Sequence, residues 1–234
     1  MTVLRMGSRG TEVRELQELL NQKVRPSPNL AVDGSFLDRT RSAVQAFQRA
    51  NWLVADGEAG PCTMAALRGT EKYAYLHSVR LVPQWTPTTC WSAATAMLTG
   101  QLACMSAGPA TATVGDGLWN DSDLDTPENM RKFAAFHHLT LVPGMTWMPD
   151  GLAGFLRRGP IMINTLWNVA GYTSRQGSSG HMRVVAGIRG DGTPQGTTIR
   201  VYDPWPPNRG DISSKIYSTF ITRTPLATYQ ILHR

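Results

Sequence analysis

Residues 82–94 read Val-Pro-Gln-Trp-Thr-Pro-Thr-Thr-Cys-Trp-Ser-Ala-Ala and contain the most informative residues of the chain. Gln84 lies six residues before Cys90, Trp91 follows directly, and an Ala-rich helical pattern begins there. A helix N-terminus lowers the pKa of a thiol through its exposed amides and dipole, and the thiolate is the reactive form of cysteine. The Gln84 side chain can donate to the oxyanion that forms when sulfur attacks a carbonyl. The segment therefore predicts a nucleophilic cysteine at the start of a helix.

A base and an orienting carboxylate are expected on two later strands. His181 stands at the start of the apolar run 182–188, and Asp203 follows the apolar run 198–202. Neighbouring antiparallel strands can bring a His at the start of one beside an Asp at the end of the other, and residues 190–192 suit the turn between them. An Asp beside imidazole fixes its tautomer and stabilises the imidazolium. These residues therefore predict a nucleophile–base–orienter set.

The elements after residue 80 predict an α+β domain. A helix from Cys90 is stopped by Gly100, and residues 101–125 show no sustained periodicity, which indicates a long surface loop. Thr126-Pro127 is a typical helix start, with Thr as N-cap. Apolar runs then predict a helix that carries Leu152, Phe155 and Leu156 on one face and runs to 157–160. They also predict strands at 139–142, 161–164, 182–188, 198–202 and 227–232. This order, with helices first and several antiparallel strands afterwards, favours an α+β domain.

The first seventy residues contain an internal repeat. Asp33-Gly34 aligns with Asp56-Gly57, 23 residues later, and Thr40 then aligns with Thr63. Asp-Gly supplies a tight turn, because Gly tolerates positive φ and Asp bonds the backbone beyond it. Apolar stripes at helical spacing accompany each turn. The pattern predicts three short helices around a small core, ending near Leu67.

This repeat resembles the three-helix peptidoglycan-binding domain found on many cell-wall hydrolases. The likeness covers residues 3–68 and is carried by Leu4-Arg5-x-Gly7-Ser8-Arg9-Gly10, Val13, Leu16-Gln17, Leu20, the two Asp-Gly turns, Ala43-Val44, Phe47-Gln48 and Gly60-Pro61-x-Thr63. The resemblance implies binding to the cell-wall polymer. An interaction module or a pro-segment stays open as an alternative, because fold does not fix function. The matching residues define the fold and name no ligand contact.

The remainder of the chain resembles the papain-like cysteine peptidases, in particular bacterial forms close to the AvrRpt2-type and bacteriocin-processing peptidases. The resemblance implies that Cys90 is the nucleophile, His181 the base, and Gln84 the oxyanion donor. Asp203 matches the third member, which is Asn in papain itself. The likeness is weak over residues 101–150, which would shape the substrate groove.

Together the two resemblances imply a domain organisation within the α+β class. A small three-helix domain is expected over residues 1–70, a linker over 71–80, and a papain-like domain, helical first and then an antiparallel sheet, over 81–234. Trp91 and Trp205 are expected to pack near the cleft.

No metal site or cofactor is expected. Cys62, Cys90 and Cys104 form no CxxC pair, and His137 and His138 are adjacent, so they miss the spacing of a zinc-binding helix. Cys62 and Cys104 are interpreted as small buried hydrophobes.

Charge and hydropathy bear on location and partners. The net charge of +6 is spread evenly, with 11 basic and 8 acidic residues in 1–80 against 12 and 9 in the rest. An even surplus of this size fits a mildly basic surface with some affinity for an anionic wall, and no nucleic-acid partner is expected. The start lacks the apolar core of a signal peptide, and no apolar run approaches a membrane span. We expect synthesis in the cytoplasm and secretion, to a cell wall or a target cell, by a route other than Sec.

Three functional hypotheses follow. The leading one is a cysteine-dependent amide hydrolase acting through a thioester on peptidoglycan peptides, as an antibacterial effector or lytic enzyme with an immunity or inhibitor protein as a further partner. The second is a secreted effector protease that cleaves polypeptides and uses its N-terminal domain as an interaction module. The third is a binding protein whose Cys90, His181 and Asp203 no longer react.

Overall fold

The computed structural model describes residues 2–100, 112–114, 117–119, 124, 127–166, 180–223 and 229–234. The chain forms two compact units. Unit 1 comprises Met1–Ala74, Ile188–Ile199 and Ser214–Ser218, and unit 2 comprises Tyr75–Gly187, Arg200–Ser213 and Thr219–Arg234.

Helices and strands follow one another along the chain as α1 (Thr11–Lys23), α2 (Asp38–Ala50), α3 (Pro61–Arg68), β1 (Tyr73–Leu76), α4 (Cys90–Thr99), β2 (Ala112–Val114), β3 (Gly117–Trp119), α5 (Pro127–Phe136), β4 (Thr140–Met145), α6 (Pro149–Leu156), β5 (Ile161–Leu166), β6 (Gly180–Gly190), β7 (Thr197–Asp203), β8 (Asp211–Ile216), α7 (Tyr217–Arg223) and β9 (Tyr229–His233). Helices come first and a mainly antiparallel sheet follows, so the predicted α+β class is confirmed.

Unit 1 contains the three predicted helices around one apolar core. Its buried members come from all three helices and from the segments before and between them, and include Leu4, Val13, Leu16, Leu20, Phe36, Val44, Phe47, Leu53, Met64 and Leu67. Burial removes each of these side chains from water, and a side chain of this size then stabilises the fold by about 1.5–3 kcal/mol. Pro61 opens α3 and Gly69, at φ 69°, ends it, as expected for these residues at helix termini.

The first Asp-Gly turn of the repeat is held by the buried side chain of Gln17. Its Nε2 donates to Asp33 Oδ1 at 3.0 Å, to the Ser35 carbonyl at 3.1 Å and to Thr40 Oγ1 at 3.4 Å. Its Oε1 accepts the Gly34 N–H at 2.9 Å, where Gly34 has a φ of +76°. One amide therefore joins α1, the turn and the start of α2.

The second turn is built in the same way around Gln48. Its Nε2 donates to Asp56 Oδ1 at 2.8 Å, to the Glu58 carbonyl at 2.9 Å and to Thr63 Oγ1 at 3.1 Å. Its Oε1 accepts the Gly57 N–H at 2.9 Å, and Gly57 has a φ of +79°. The repeat seen in the sequence is thus a repeat of hydrogen bonds as well as of turns.

Unit 1 also includes the hairpin residues 188–199, which sequence reasoning assigned to the protease part. Arg189 makes a bidentate pair with Glu71, 2.7 Å for each N–O contact. The same guanidinium donates to the Asn51 carbonyl and lies 5.1 Å from the centroid of the Trp52 ring. A paired and stacked Arg of this kind satisfies its charge away from water.

Within the described part of the chain, seven strands form one sheet. The order is β4-β9-β5-β6-β7-β8, and β1 pairs with β6. Strands β5 and β6 are antiparallel in an unbroken register that places Thr165 opposite His181 and Ile163 opposite Arg183. Strands β6 and β7, which carry His181 and Asp203, are neighbours as predicted.

The structure differs from the sequence prediction in three segments. The expected connector 71–80 contains strand β1, and the expected loop 101–125 contains the antiparallel pair β2 and β3. Sequence patterns predicted neither strand β8 nor helix α7. Short strands such as β1 are stabilised by partners distant in sequence, so local propensity predicts them poorly. Cys104 and the expected N-cap Thr126 lie outside the described residues.

Helix α4 lies in the core of unit 2. Cys90, Trp91 and further α4 residues share one buried cluster with side chains from α5, β5, β6 and β9, among them Met130, Phe133, Met162, Met182, Val184 and Leu232. Among the described residues, none of the helices combines the length and apolar character needed to cross a bilayer.

Candidate active site

Cys90 is the first residue of α4, and its side chain is 5% exposed. Thr89 precedes the helix, and its carbonyl accepts the Ala93 N–H at 3.2 Å, which starts the helical hydrogen-bond ladder. The first N–H groups of a helix have no acceptor within it, and the helix dipole favours negative charge at this end. Cys90 therefore lies at the start of a helix, as the sequence predicted.

Gln84 is completely buried beside the segment that follows Asp203. Its N–H donates to the Pro204 carbonyl at 3.0 Å, and its carbonyl accepts the Asn208 N–H at 2.8 Å. Its side-chain Nε2 donates to the Thr86 carbonyl at 2.6 Å, while Oε1 is buried with no partner among the described residues. The amide carries a second N–H, so the side chain keeps a donor for a further acceptor.

The loop between Gln84 and Cys90 is organised by the Thr89 hydroxyl. Its Oγ1 accepts the Trp85 N–H at 3.2 Å and the Thr86 N–H at 3.1 Å. Trp85 is nevertheless 50% exposed, directly next to buried Gln84. A large aromatic side chain is thus presented to solvent from a backbone that is held by hydrogen bonds.

His181 and Asp203 are in direct contact. His181 Nε2 lies 2.7 Å from Asp203 Oδ1, and the two side chains are 6% and 21% exposed. The same carboxylate oxygen accepts the Trp205 N–H at 2.9 Å. Asp203 therefore holds the His181 ring at Nε2.

The electrostatics of Asp203 favour its ionised form. Burial raises the pKa of this carboxyl, but the hydrogen bond and the positive charge of His181, the Trp205 N–H and the charge of Arg183 together hold the pKa below its usual value. Asp203 is therefore a carboxylate at neutral pH.

The four predicted site residues lie in one unit and on connected elements. His181 meets Asp203, Gln84 is bonded to Pro204, and Cys90 shares its core cluster with Met182, the residue after His181. Trp91 is buried and packs edge-on against Phe133 at 5.9 Å. Trp91 is thus a packing residue.

Sequence reasoning missed Arg183 and Thr165. Arg183 Nη2 donates to Thr165 Oγ1 at 2.8 Å, and the Thr165 hydroxyl lies 3.4 Å from the His181 carbonyl. The available signal was the two-residue spacing between His181 and Arg183, which places both side chains on one face of a strand.

Cys62 differs from Cys90 in the features that control reactivity. It is buried in unit 1, and its Sγ lies 3.2 Å from the Gln195 carbonyl. Burial raises the pKa of this thiol to about 11. The interpretation of Cys62 as a small buried hydrophobe agrees with this environment.

Two further features of unit 2 lie apart from these residues. A cavity of about 410 Å³ at the C-terminal end of α4 is lined by Met97, Gly100, Phe155, Arg158 and neighbouring residues, without Gln84, Cys90, His181 or Asp203. Within the described ranges, no group of three or more His, Cys, Asp or Glu side chains is arranged to hold a metal ion.

Comparison with known proteins identifies the family. The model of the papain-like cysteine protease AvrRpt2 family matches residues 72–221. The chain belongs to this family. Papain-like cysteine proteases are hydrolases, so the predicted enzyme class is confirmed, and the α+β region that carries Gln84, Cys90, His181 and Asp203 is the matched region.

The N-terminal resemblance is confirmed in the same way. A model of the peptidoglycan-binding domain matches residues 9–67 of this papain-like protease, which includes α1, α2 and most of α3. The family member therefore joins a protease domain and a peptidoglycan-binding domain in one chain.

Individual relatives share shorter parts of the chain. The zinc D-Ala-D-Ala carboxypeptidase of Streptomyces albus G is 47% identical over 57 residues, which is 24% of this chain and 22% of the carboxypeptidase. The crystal structure of a Burkholderia AP3 phage endolysin matches with 33% identity and a TM-score of 0.27, over 44% of this chain and 35% of the endolysin. The chain thus covers about a fifth of the length of the carboxypeptidase and about a third of the length of the endolysin.

Proposed function

We propose that this protein hydrolyses amide bonds in the peptide part of peptidoglycan, through a thioester at Cys90. The observation that carries the proposal is the presence of a peptidoglycan-binding domain and a papain-like protease domain in one chain. Tethering to the wall polymer raises the local concentration of substrate at the active site. In this proposal residues 1–70 bind the wall, 71–80 connect, and 81–234 carry the chemistry.

The proposed reaction begins with proton transfer from the Cys90 thiol to His181 Nδ1. The thiolate attacks the scissile carbonyl carbon, and the resulting oxyanion accepts hydrogen bonds from the Cys90 N–H and the Gln84 side chain. One such donor typically contributes about 3–4 kcal/mol to transition-state stabilisation. The Gln84 side chain is held close to Thr86, which fixes the direction of its remaining donor.

Collapse of the tetrahedral intermediate breaks the C–N bond. His181 Nδ1 gives its proton to the leaving amine, and a thioester to Cys90 remains. Water then attacks the thioester carbonyl while His181 accepts a proton from it, and the second collapse releases a carboxylic acid and restores Cys90. Asp203 stays ionised throughout and keeps the imidazole oriented, as its contact with His181 Nε2 supports.

Digestion of purified sacculi tests the proposal. The wild-type protein should release soluble muropeptides with a new amine and a new carboxylate at one amide bond, identified by mass analysis. Cys90→Ala should release none while still co-sedimenting with the sacculi, because that substitution leaves the N-terminal helices intact. Equal release by both proteins, or by neither, would contradict the proposal.

A second candidate is supported by the family itself. The matched family is described as a cysteine protease, and the same chemistry at Cys90 cleaves polypeptides. In that case the protein would cut a polypeptide and leave sacculi intact, with the N-terminal domain acting as an interaction module.

A further inference from the structure

The segment from Gln84 to Cys90 is organised around the buried side chain of Thr89, which is 7% exposed. Its Oγ1 accepts the Trp85 N–H at 3.2 Å and the Thr86 N–H at 3.1 Å. The same hydroxyl donates to the Thr86 carbonyl at 3.3 Å. A hydroxyl has one donor and two acceptor sites, so these contacts match its full capacity.

The Thr86 carbonyl is the point at which this network meets Gln84. Its oxygen accepts from the Gln84 side-chain Nε2 at 2.6 Å, and the Thr89 N–H lies 3.5 Å from the same oxygen. Gln84 is completely buried, and a buried amide takes its hydrogen bonds from within the protein. Thr86 is thus bonded to Thr89 through both its N–H and its carbonyl, and that carbonyl in turn holds the Gln84 amide.

Thr89 also joins this network to the nucleophile. It directly precedes Cys90, and its carbonyl accepts the Ala93 N–H at 3.2 Å, the bond with which α4 begins. The Cys90 N–H belongs to the peptide group between Thr89 and Cys90. Thr89 therefore connects the two oxyanion donors of the proposed reaction, the Cys90 N–H through its backbone and the Gln84 amide through its side chain.

Backbone bonds fix the main chain of Gln84 but not the direction of its side chain. Its N–H donates to the Pro204 carbonyl at 3.0 Å, and its carbonyl accepts the Asn208 N–H at 2.8 Å. The rotatable bonds of the side chain still allow several rotamers. Among the described residues, the Gln84 amide has one hydrogen-bond partner, the Thr86 carbonyl. The direction of the amide therefore depends on where that carbonyl is held.

We propose that Thr89 is a positioning residue: through the Thr86 carbonyl, its hydroxyl holds the Gln84 amide where it can donate to the oxyanion. The proposal rests on the roles of Cys90 and Gln84 proposed above. An oxyanion donor contributes most when it is aimed before the charge develops, and a misplacement of about 1 Å can lower a rate by about 10²-fold. Loss of the Thr89 hydroxyl should therefore slow steps that form an oxyanion and spare steps that form none.

Two small reagents separate these kinds of step at Cys90 without a natural substrate. With p-nitrophenyl acetate, the thiolate adds to the ester carbonyl and forms an oxyanion, whose collapse breaks the C–O bond, releases p-nitrophenolate and leaves an acetyl thioester. With iodoacetamide, the thiolate displaces iodide from carbon in one step, and no oxyanion forms. Rate constants for both reagents are measured at one pH and corrected with Cys90→Ala for the other cysteines.

Thr89→Val removes the hydroxyl and nearly keeps the side-chain volume. It should lower the rate constant of acetylation by about 10–100-fold and leave that of alkylation within about twofold of wild type. Thr89→Ser keeps the hydroxyl and should retain both rate constants. In a Gln84→Ala background, Thr89→Val should cause little further loss, because the group through which it acts is already absent.

Thr88→Val is the matched control. The Thr88 side chain is an exposed hydroxyl in the same segment, and it lies 3.4 Å from the Thr86 hydroxyl rather than beside the carbonyl that holds Gln84. Both rate constants should stay at the wild-type level. Thermal unfolding checks each variant, and Thr89→Ala replaces Thr89→Val if the latter does not fold.

Three results would overturn the positioning role alone, given slow acetylation of Gln84→Ala. They are wild-type acetylation of folded Thr89→Val, equal slowing of acetylation and alkylation, and a loss in Thr89→Ser as large as in Thr89→Val. If Gln84→Ala is acetylated as fast as wild type, the oxyanion role of Gln84 fails and this proposal fails with it. Absence of sacculus hydrolysis would instead contradict the proposed substrate and would leave the comparison of the two reagents unaffected.

Discussion

His181 and Asp203 share a 2.7 Å contact between Nε2 and Oδ1, although 22 residues separate them in sequence. The contact is possible because β6 and β7 are neighbours in the sheet, with His181 near the start of one and Asp203 at the end of the other. It commits Nε2 of the imidazole to the carboxylate. The orientation of the imidazole is therefore fixed by the sheet and by one side-chain pair.

Replacement of Asp203 tests the importance of this orientation. Asp203→Ala should lower kcat/KM on the substrate found in the sacculus or polypeptide assay by about 10²–10⁴-fold, because the imidazole loses the group that holds its tautomer. Asp203→Asn should lose much less, since an amide oxygen can still accept from Nε2–H. Equal losses in both variants would contradict an orienting role.

The stability of the fold should depend on pH through Asp203. Its pKa is held below its usual value in the folded state, so the unfolded state binds more protons and stability rises with pH. The stabilisation is complete above the unfolded pKa of about 3.9 and is lost as pH falls through the lower folded value. Urea unfolding of wild type and Asp203→Asn should therefore give a free-energy difference that shrinks on acidification. A difference that grew on acidification would contradict the assignment.

The thiols should differ in reactivity. With a pKa of about 11, Cys62 should carry almost no thiolate at pH 8 and should resist iodoacetamide in the folded protein. Cys90, at the start of α4, should react already near pH 6. Mass mapping after timed alkylation measures both, and full denaturation should make Cys62 reactive. Faster labelling of folded Cys62 than of Cys90 would contradict the role of Cys90.

The two glutamines of the repeat should contribute similarly to unit 1. Each holds an Asp-Gly turn through four hydrogen bonds, and removal leaves buried donors and acceptors unpaired. Gln17→Ala and Gln48→Ala should each lower the free energy of unfolding by about 2–4 kcal/mol. Gln45→Ala, on the same helix as Gln48, is the control and should have little effect. If Gln17→Ala or Gln48→Ala lowered the free energy of unfolding by less than Gln45→Ala does, the stabilising role of these hydrogen bonds would be contradicted.

Trp85 should contribute to substrate binding. Its indole is 50% exposed on a backbone fixed by Thr89, next to Gln84, and exposed aromatic side chains at binding sites are frequent energetic anchors. Trp85→Ala should raise KM by about 10-fold, which corresponds to about 1.4 kcal/mol, and should leave the pH midpoint of Cys90 alkylation unchanged. Met148→Ala is the control, because it also removes an exposed apolar side chain, at a position that is 58% exposed.

Local sequence predicted the helix and the two strands that carry Cys90, His181 and Asp203. The start of α4 at Cys90 follows from a run of small and apolar helix formers after a Pro-Thr-Thr segment, and both strands that carry His181 and Asp203 are rich in apolar residues. The two-residue spacing places Arg183 on the same strand face as His181. The hydrogen bond from Arg183 to Thr165 could not be found in this way, because it depends on the register of β5 against β6, and no local pattern contains that register.

The sequence by itself determined the three helices of the repeat, the Asp-Gly turns and the order of Gln84, Cys90, His181 and Asp203 along the chain. Only the tertiary structure decided that β1 forms within the expected connector, and that residues 188–199 group with the N-terminal helices through Arg189 and Glu71. The physical reason is the range of the interactions. Helix stripes, caps and turns depend on residues a few positions apart, whereas strand pairing and buried ion pairs join residues that are distant in sequence.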